Sequence, residues 1–419
     1  MNHRSAPAVL VTALGSLLAL TACAVVTPTS GPAPQSAAPH GHVDGATEVQ
    51  EPQLRLVSLD TSGALSAFDP ASEESVDLGT LDDTAMLSTD GRYAFSSTLD
   101  GRLTIVDIGA WTVPHGDHLH YYLADPRTVG ELDEGAGAGA ARVASSSAVT
   151  SAYFPGSGTG VVLDADALGE GRLTELSRIE GAPHDGALMP LGTHVVGSVA
   201  SSQGPDGDGM PRASAVQAYT SDGVAVGDEQ DCAELQGAAI TRVGVIFGCA
   251  DGALLATEAE GTIAFDRIPY PETTSVGDRA TSFALRTGRP TVAAVSGERG
   301  AWLLDTRAGT WTLLPSDVAL LRATAVGDSD GTVVAVDAEG RIVVLGPGRV
   351  AASSEPVLAG DIVGGSLADG ITLEVDSSRA YVNSPSTGLV HEIDYADDAR
   401  IARSLDVSGD ASFLVETGR

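Results

Sequence analysis

Beyond residue 53 the chain is a succession of short apolar runs, each closed by Asp-Gly, Ser-Gly, Arg-Gly or Glu-Gly. Runs this short, bounded by residues that tolerate positive φ, predict β-hairpins and not helices. The runs repeat as RLVSLDTSGALSAFD, YAFSSTLDGRLTIVD, SAYFPGSGTGVVLD, ASAVQAYTSDGVAV, VIFGCADGALLAT, VAAVSGERGAWLLD, VVAVDAEGRIVVL and RAYVNSPSTGLVHEID. From Gly63 in the first unit to Gly388 in the last, the spacing averages about 46 residues, the length of one propeller blade. The pattern predicts an all-β chain folded as a single β-propeller of seven or eight blades, eight being favoured by the unit count. A pair of β-sandwiches would show similar turn spacing, but nothing in it requires so many similar hairpins. No window carries capped helical periodicity, which removes doubly wound folds and their cofactor crevices.

The first residues read differently. Residues 1–22 carry Arg4, then an apolar run from Ala6 to Ala19, and end at Leu20-Thr21-Ala22 before Cys23. The run is shorter than the roughly 20 residues of a spanning helix and stops at a small residue before Cys. This predicts a lipoprotein signal peptide, with Cys23 lipidated as the mature N-terminus and the product exported and anchored to the outer face of the cell membrane. Residues 23–53 are rich in Pro, Ser, Thr, Ala and Gly and predict a flexible, disordered tether ahead of a propeller domain at 54–419.

Export changes the reading of the cysteines. Besides Cys23 only Cys232 and Cys249 occur, and an oxidising compartment predicts a disulfide between them. Their separation without CxxC spacing argues against a thiolate zinc site.

The formal charge of −33 opposes nucleic acid and anionic lipid as partners and makes cations the natural guests, although it also serves solubility. All 23 basic residues are Arg. Without Lys, a P-loop and a Schiff-base site are excluded.

Three of the nine histidines crowd into Trp111-Thr-Val-Pro-His115-Gly-Asp117-His118-Leu-His120-Tyr-Tyr122. Imidazoles and a carboxylate are the borderline ligands that zinc takes tetrahedrally. In an extended segment His118 and His120 face the same way, so both can reach one ion. His184, in Ala-Pro-His-Asp-Gly, is a further candidate from another blade, and His40 and His42 offer a second site or a flap. His194 and His391 read as packing or surface residues. A hydrolytic zinc site using Asp117 or Asp185 as base could be built from the same set, but nothing selects it. No Gly-x-Ser-x-Gly elbow stands at a strand-to-helix turn.

WTVPHGDHLHYY at 111–122, APHDGALMPLG at 182–192, TRVGVIFGCADGALL at 241–255, RATSF at 279–283, EVDSSRAYVN at 374–383, HEIDYADDARIARS at 391–404 and the terminal VETGR together resemble the AztD-type extracytoplasmic zinc metallochaperones. The chain departs from that family's pattern at Ala141–Ser147 and at Leu235-Gln236-Gly237, which carry no histidine. The resemblance implies a propeller that is not an enzyme. It implies His115, Asp117, His118 and His120 on one propeller face, His184 contributing from the next blades, and His40/His42 as a metal-loading flap. The implied task is to hold zinc and deliver it to the solute-binding protein of a zinc ABC importer, as a monomer held to the membrane through Cys23. The alternative is a non-catalytic scaffold that docks another cell-surface protein and carries a degenerate metal site.

Overall fold

The computed structural model describes residues 43, 45–115, 118–135, 137–202, 209–348 and 352–419. The expected signal peptide, Cys23, His40, His42 and Asp117 lie outside the described residues, as does the side chain of His115. No helix among the described residues is long and apolar enough to cross a membrane.

The chain builds antiparallel sheets one after another. Among the described residues seven sheets have four strands, and the sheet of Thr291–Ser296, Gly300–Asp305 and Thr310–Pro315 has three. The inner edge of that sheet carries a single bridge, Ala284 to Ala293, and the next residue, Leu285, bridges to Ala325 of the following sheet. Each sheet's innermost strand touches that of a neighbour. Phe413–Thr417 meets Thr84–Thr89, which meets Arg142–Ser145, then Leu188–Leu191, then Ala238–Ile240. On the other side Thr291–Ser296 touches Leu320–Ala325, which touches Leu373–Val375. The ring closes where Ala380–Ser384 reaches Phe413–Thr417. This is a β-propeller.

Its closure is made by the two ends of the described body. Phe413–Thr417 is the inner strand of the sheet whose other strands are Arg55–Leu59, Ala64–Asp69 and Glu74–Thr80, and it pairs antiparallel with Arg55–Leu59. Leu56, Val57, Leu414 and Val415 are essentially fully buried there. The apolar faces of successive sheets pack on one another; Tyr93, Phe95, Leu103 and Ile105 of one meet Ala152, Phe154, Val161 and Leu163 of the next. Both faces of the middle strands are covered, so these read as continuous apolar runs and not as alternation.

Seven of the eight repeating units are the middle hairpins of their sheets, as in Tyr93–Thr98 with Arg102–Asp107. The fourth, ASAVQAYTSDGVAV, is instead the outer hairpin, Ala213–Thr220 with Ala225–Leu235. Its sheet joins His194–Ala200 to Ala213–Thr220 by a long connection and places the tight Ser-Asp-Gly turn one strand later. The Asp that ends many units caps the following turn: Asp69 Oδ1 accepts from the Ala71 amide at 2.8 Å and Asp305 Oδ1 from the Arg307 amide at 2.9 Å.

Part of the expected tether is ordered. Thr47–Val49 pairs with His118–Leu123, and the compact unit begins at Val43. The short run Thr-Glu-Val gains its hydrogen bonds from the edge of a hairpin that sequence pattern alone does not place beside it.

Cys232 and Cys249 are disulfide-bonded, with Cα atoms 4.9 Å apart. The bond ties an outer strand of one sheet to a middle strand of the next within a buried apolar cluster. A Cys232→Ala, Cys249→Ala double variant loses about 3 kcal/mol of stability in the chain-entropy account, read as a lower denaturant midpoint.

The closing strand also buries Glu416. Among the described residues its carboxylate oxygens have no hydrogen-bond partner, and Arg419 stands 3.4 Å away as an ion pair without hydrogen-bond geometry. Burial pushes its pKa up to about 8. The folded state then holds a proton that the unfolded chain releases above pH 4.5, so this group's contribution to stability falls as pH rises from about 4.5 through about 8. Glu416→Gln removes that dependence and gains at least about 1 kcal/mol over the parent at pH 8 relative to pH 5, measured by urea unfolding at both pH values.

Candidate metal centre on an inserted hairpin

Between Arg102–Asp107 and Arg127–Asp133, two adjacent strands of one blade, the chain makes a detour. Ala110–His115 and His118–Leu123 form a hairpin, and Thr47–Val49 adds a third strand to it. The register pairs Trp111 with Tyr122, Val113 with His120 and His115 with His118. Cross-strand partners share a face, so Trp111, Val113, His118, His120 and Tyr122, with Glu48 opposite Tyr122, lie on one side of this small sheet.

The histidines converge there. His118 Nε2 and His120 Nε2 are 3.0 Å apart, and Nδ1 of His120 is 2.6 Å from Glu48 Oε1. A carboxylate only accepts, so the His120 Nδ1–H donates to Glu48 and the Nε2 lone pair is directed toward His118. A carboxylate behind a ligating histidine fixes its tautomer in this way, leaving the other nitrogen as the one that binds a metal. Two nitrogens bound tetrahedrally to zinc at about 2.0–2.1 Å stand roughly 3.3 Å apart. The observed separation needs only a slight opening to admit the ion.

A column of stacked groups holds the His120 ring. His120 stacks on Tyr122 at 6.3 Å between ring centroids, and Tyr122 on Trp111 at 5.3 Å. The Arg92 guanidinium lies 3.9 Å from the Trp111 ring, and Asp107 grips it through Nε and Nη2 at 3.2 and 2.8 Å. The column begins in a blade's core strands and ends at the imidazole, so a ligand on an inserted hairpin inherits the rigidity of the propeller.

His184 does not join this pair. It is buried on the loop before Leu188–Leu191, where its Nδ1–H donates to the Ala182 carbonyl at 2.8 Å and its Nε2 accepts from the Ser198 hydroxyl at 2.7 Å. The Tyr153 hydroxyl donates to its carbonyl at 3.0 Å. Its neighbour Asp185 is ion-paired with Arg142. Among the described residues no three His, Cys, Asp or Glu side chains form a cage for a metal. His391 is buried with Nδ1 3.0 Å from the Ser404 hydroxyl, and His194 stands 3.5 Å from Glu258, as fits packing residues. Glu48 was not among the sequence candidates. Only its pairing with the hairpin brings it to His120, and one Glu in a polar leader carries no signal of that.

No family model matches the chain. Among solved structures, apo AztD from Citrobacter koseri aligns with a TM-score of 0.72 at 18% identity, covering 88% of this chain and 98% of that one. The fold is that of AztD. A second structure of Citrobacter koseri AztD gives the same TM-score at 17% identity, again over 88% of this chain and 98% of that one. The dihydro-heme d1 dehydrogenase NirN aligns more loosely, with a TM-score of 0.53 at 13% identity over 85% of this chain and 74% of that one. The resemblance to AztD-type proteins read from the motifs is thus matched by the fold.

Burial holds the His184 imidazole below the usual histidine range. As pH falls below about 6.5 the unfolded chain takes up a proton that the folded chain refuses, so stability falls with acidification until the lowered pKa is reached. His184→Gln flattens that part of the stability–pH curve while costing about 1–3 kcal/mol at neutral pH through lost hydrogen bonds, both measurable by thermal unfolding from pH 7.5 to 5.

Proposed function

We propose that this protein is an extracytoplasmic zinc-binding chaperone that holds the ion on its inserted hairpin and passes it to another protein. The observation that carries this reading is the convergence of His118 and His120 with Glu48 behind them. His115, paired in register with His118, and the sequence candidate Asp117 would complete a tetrahedral set. His184 would remain a packing residue, because both its ring nitrogens are engaged within the propeller. We read the body as an eight-bladed propeller, with residues 1–22 as a signal peptide and a lipid on Cys23 as the membrane anchor.

Delivery suits this geometry better than catalysis. On the histidine face His118 and Val113 are exposed, so an incoming partner can reach the ion and supply exchanging ligands. By the resemblance to AztD-type metallochaperones, that partner would be the solute-binding protein of a zinc ABC importer, with His40 and His42 serving as a loading flap.

Zinc titration by calorimetry on the soluble form starting after Cys23 tests the reading. One ion binds per chain, and a His118→Ala, His120→Ala double variant loses it. Glu48→Gln keeps both ligands but weakens binding about 10- to 100-fold, the usual effect of removing the carboxylate that holds a ligating histidine. Absence of binding in the parent would leave a propeller scaffold that docks a partner without metal.

A further inference from the structure

The reverse face of the hairpin closes over a second site. Register pairs Pro114 with Leu119 and Thr112 with Tyr121, so these side chains lie opposite the histidine face. They form one wall of a cavity of about 690 Å³. The other walls come from loops that follow the innermost strands of several blades, at Asp90, Arg242, Arg286–Arg289, Asp376–Ser378 and Arg419. The cavity therefore sits where the inner strands end, at one mouth of the propeller axis. Its size falls in the range of small-molecule sites.

The charges in this mouth run against those of the chain. Arg242, Arg286 and Arg289 have no ion pair among the described residues, although the protein has more than two acidic groups for each Arg. Arg286 is half-buried, spends its Nε–H on the Val326 carbonyl at 2.7 Å, and is held below the usual guanidinium pKa by burial and then by Arg289. The acids that border the cavity are committed elsewhere. Asp376 Oδ1 accepts from the Ser378 and Arg379 amides at 2.6 Å each, and Asp90 Oδ1 from the Arg92 and Tyr93 amides at 3.0 Å each. Glu416 is fully buried beside Arg419. Guanidinium groups gathered in a partly dehydrated cleft whose bordering carboxylates, Asp376 among them, form no ion pair with them repel one another, and a bound oxyanion relieves that cost with charge-assisted, bidentate hydrogen bonds.

We propose that this mouth binds a small organic oxyanion, a carboxylate or phosphate on an apolar body. Arg242, Arg286 and Arg289 take the charged group, and Pro114, Leu119 and Tyr121 cover the body. The site is separate from the histidine pair and needs no metal.

The test is calorimetry on metal-free soluble protein with phenyl phosphate, 3-phenylpropionate, inorganic phosphate and benzyl alcohol as probes. The two organic anions bind with a Kd of about 1 mM or tighter, and binding weakens as salt is raised. Benzyl alcohol does not bind. Arg286→Gln with Arg289→Gln weakens the organic anions at least 10-fold. Tyr121→Ala weakens them while leaving inorganic phosphate unchanged, and Arg242→Gln, at an exposed position, reports on the charge should the double variant fail to fold. A preference for phenyl phosphate or for phenylpropionate identifies which oxyanion the site is built for. Failure of both to bind, or binding indifferent to the arginine changes, overturns the proposal. Zinc titration of the same variants, which keep His118, His120 and Glu48, remains as in the parent, so this result and that of the zinc reading are independent.

Discussion

The antiparallel pairing of Phe413–Thr417 with Arg55–Leu59 is the contact on which the rest of the molecule depends. Most strands within a blade are joined by short connections and find one another locally, whereas this pair joins opposite ends of the folded body. Without it the ring has two open sheet faces and two unpaired edges, which water and other chains would meet. The entropy of closing so long a loop grows only with the logarithm of its length, so the buried Leu56, Val57, Leu414 and Val415 can offset it. The closing strand also reaches the end of the propeller that carries the histidine hairpin. Its continuation donates the Gly418 amide to the Gly91 carbonyl at 2.7 Å, and the Gly418 carbonyl accepts from the Thr112 hydroxyl at 3.0 Å. Closure of the ring and placement of the hairpin are thus one event.

From there the structure runs outward through contacts of decreasing burial. Asp107 orients Arg92, Arg92 covers Trp111, Trp111 stacks on Tyr122, and Tyr122 supports His120. A hairpin of six-residue strands is marginal alone. Here it is held on one face by this column and at its edge by Thr47–Val49, while its reverse face lies against the arginine mouth. The two faces differ for a simple reason: alternation along each strand sends His118 and His120 one way and Leu119 and Tyr121 the other.

The sequence made the blades legible because each middle hairpin is a local object, with apolar runs, a tight turn and a capping Asp within about fifteen residues. The one unit displaced by a strand, ASAVQAYTSDGVAV, shows the limit of that signal. A good turn marks a hairpin without saying which hairpin of the blade it is. The facing of His118 and His120 was also legible, since period two needs only an extended backbone. Glu48, the ordered start of the body and the arginine mouth were not, because each depends on contacts between segments distant in sequence. His184 looked like a ligand on residue type alone; its burial between Ala182, Ser198 and Tyr153 is set by how two blades meet.

This division bears on how a fold is retained while a task changes. The blades bury most of the apolar surface and use the histidine hairpin for none of their ladder hydrogen bonds, since Arg102–Asp107 pairs directly with Arg127–Asp133 beneath it. Changes in the hairpin therefore act on the site with little effect on the ring, and changes in the ring preserve the hairpin so long as Arg92, Asp107 and the closing strand remain. An AztD-like architecture can persist at 18% identity on those terms. On the proposed reading, metal handling rests on a small set of side chains outside the repeating blades: His118, His120 and the carboxylate of Glu48 that fixes the second of them. The strongly negative charge of the chain does not substitute for them. It draws cations toward the surface without selecting among them, whereas selection for a borderline ion comes from neutral imidazole nitrogens held at the spacing the ion requires.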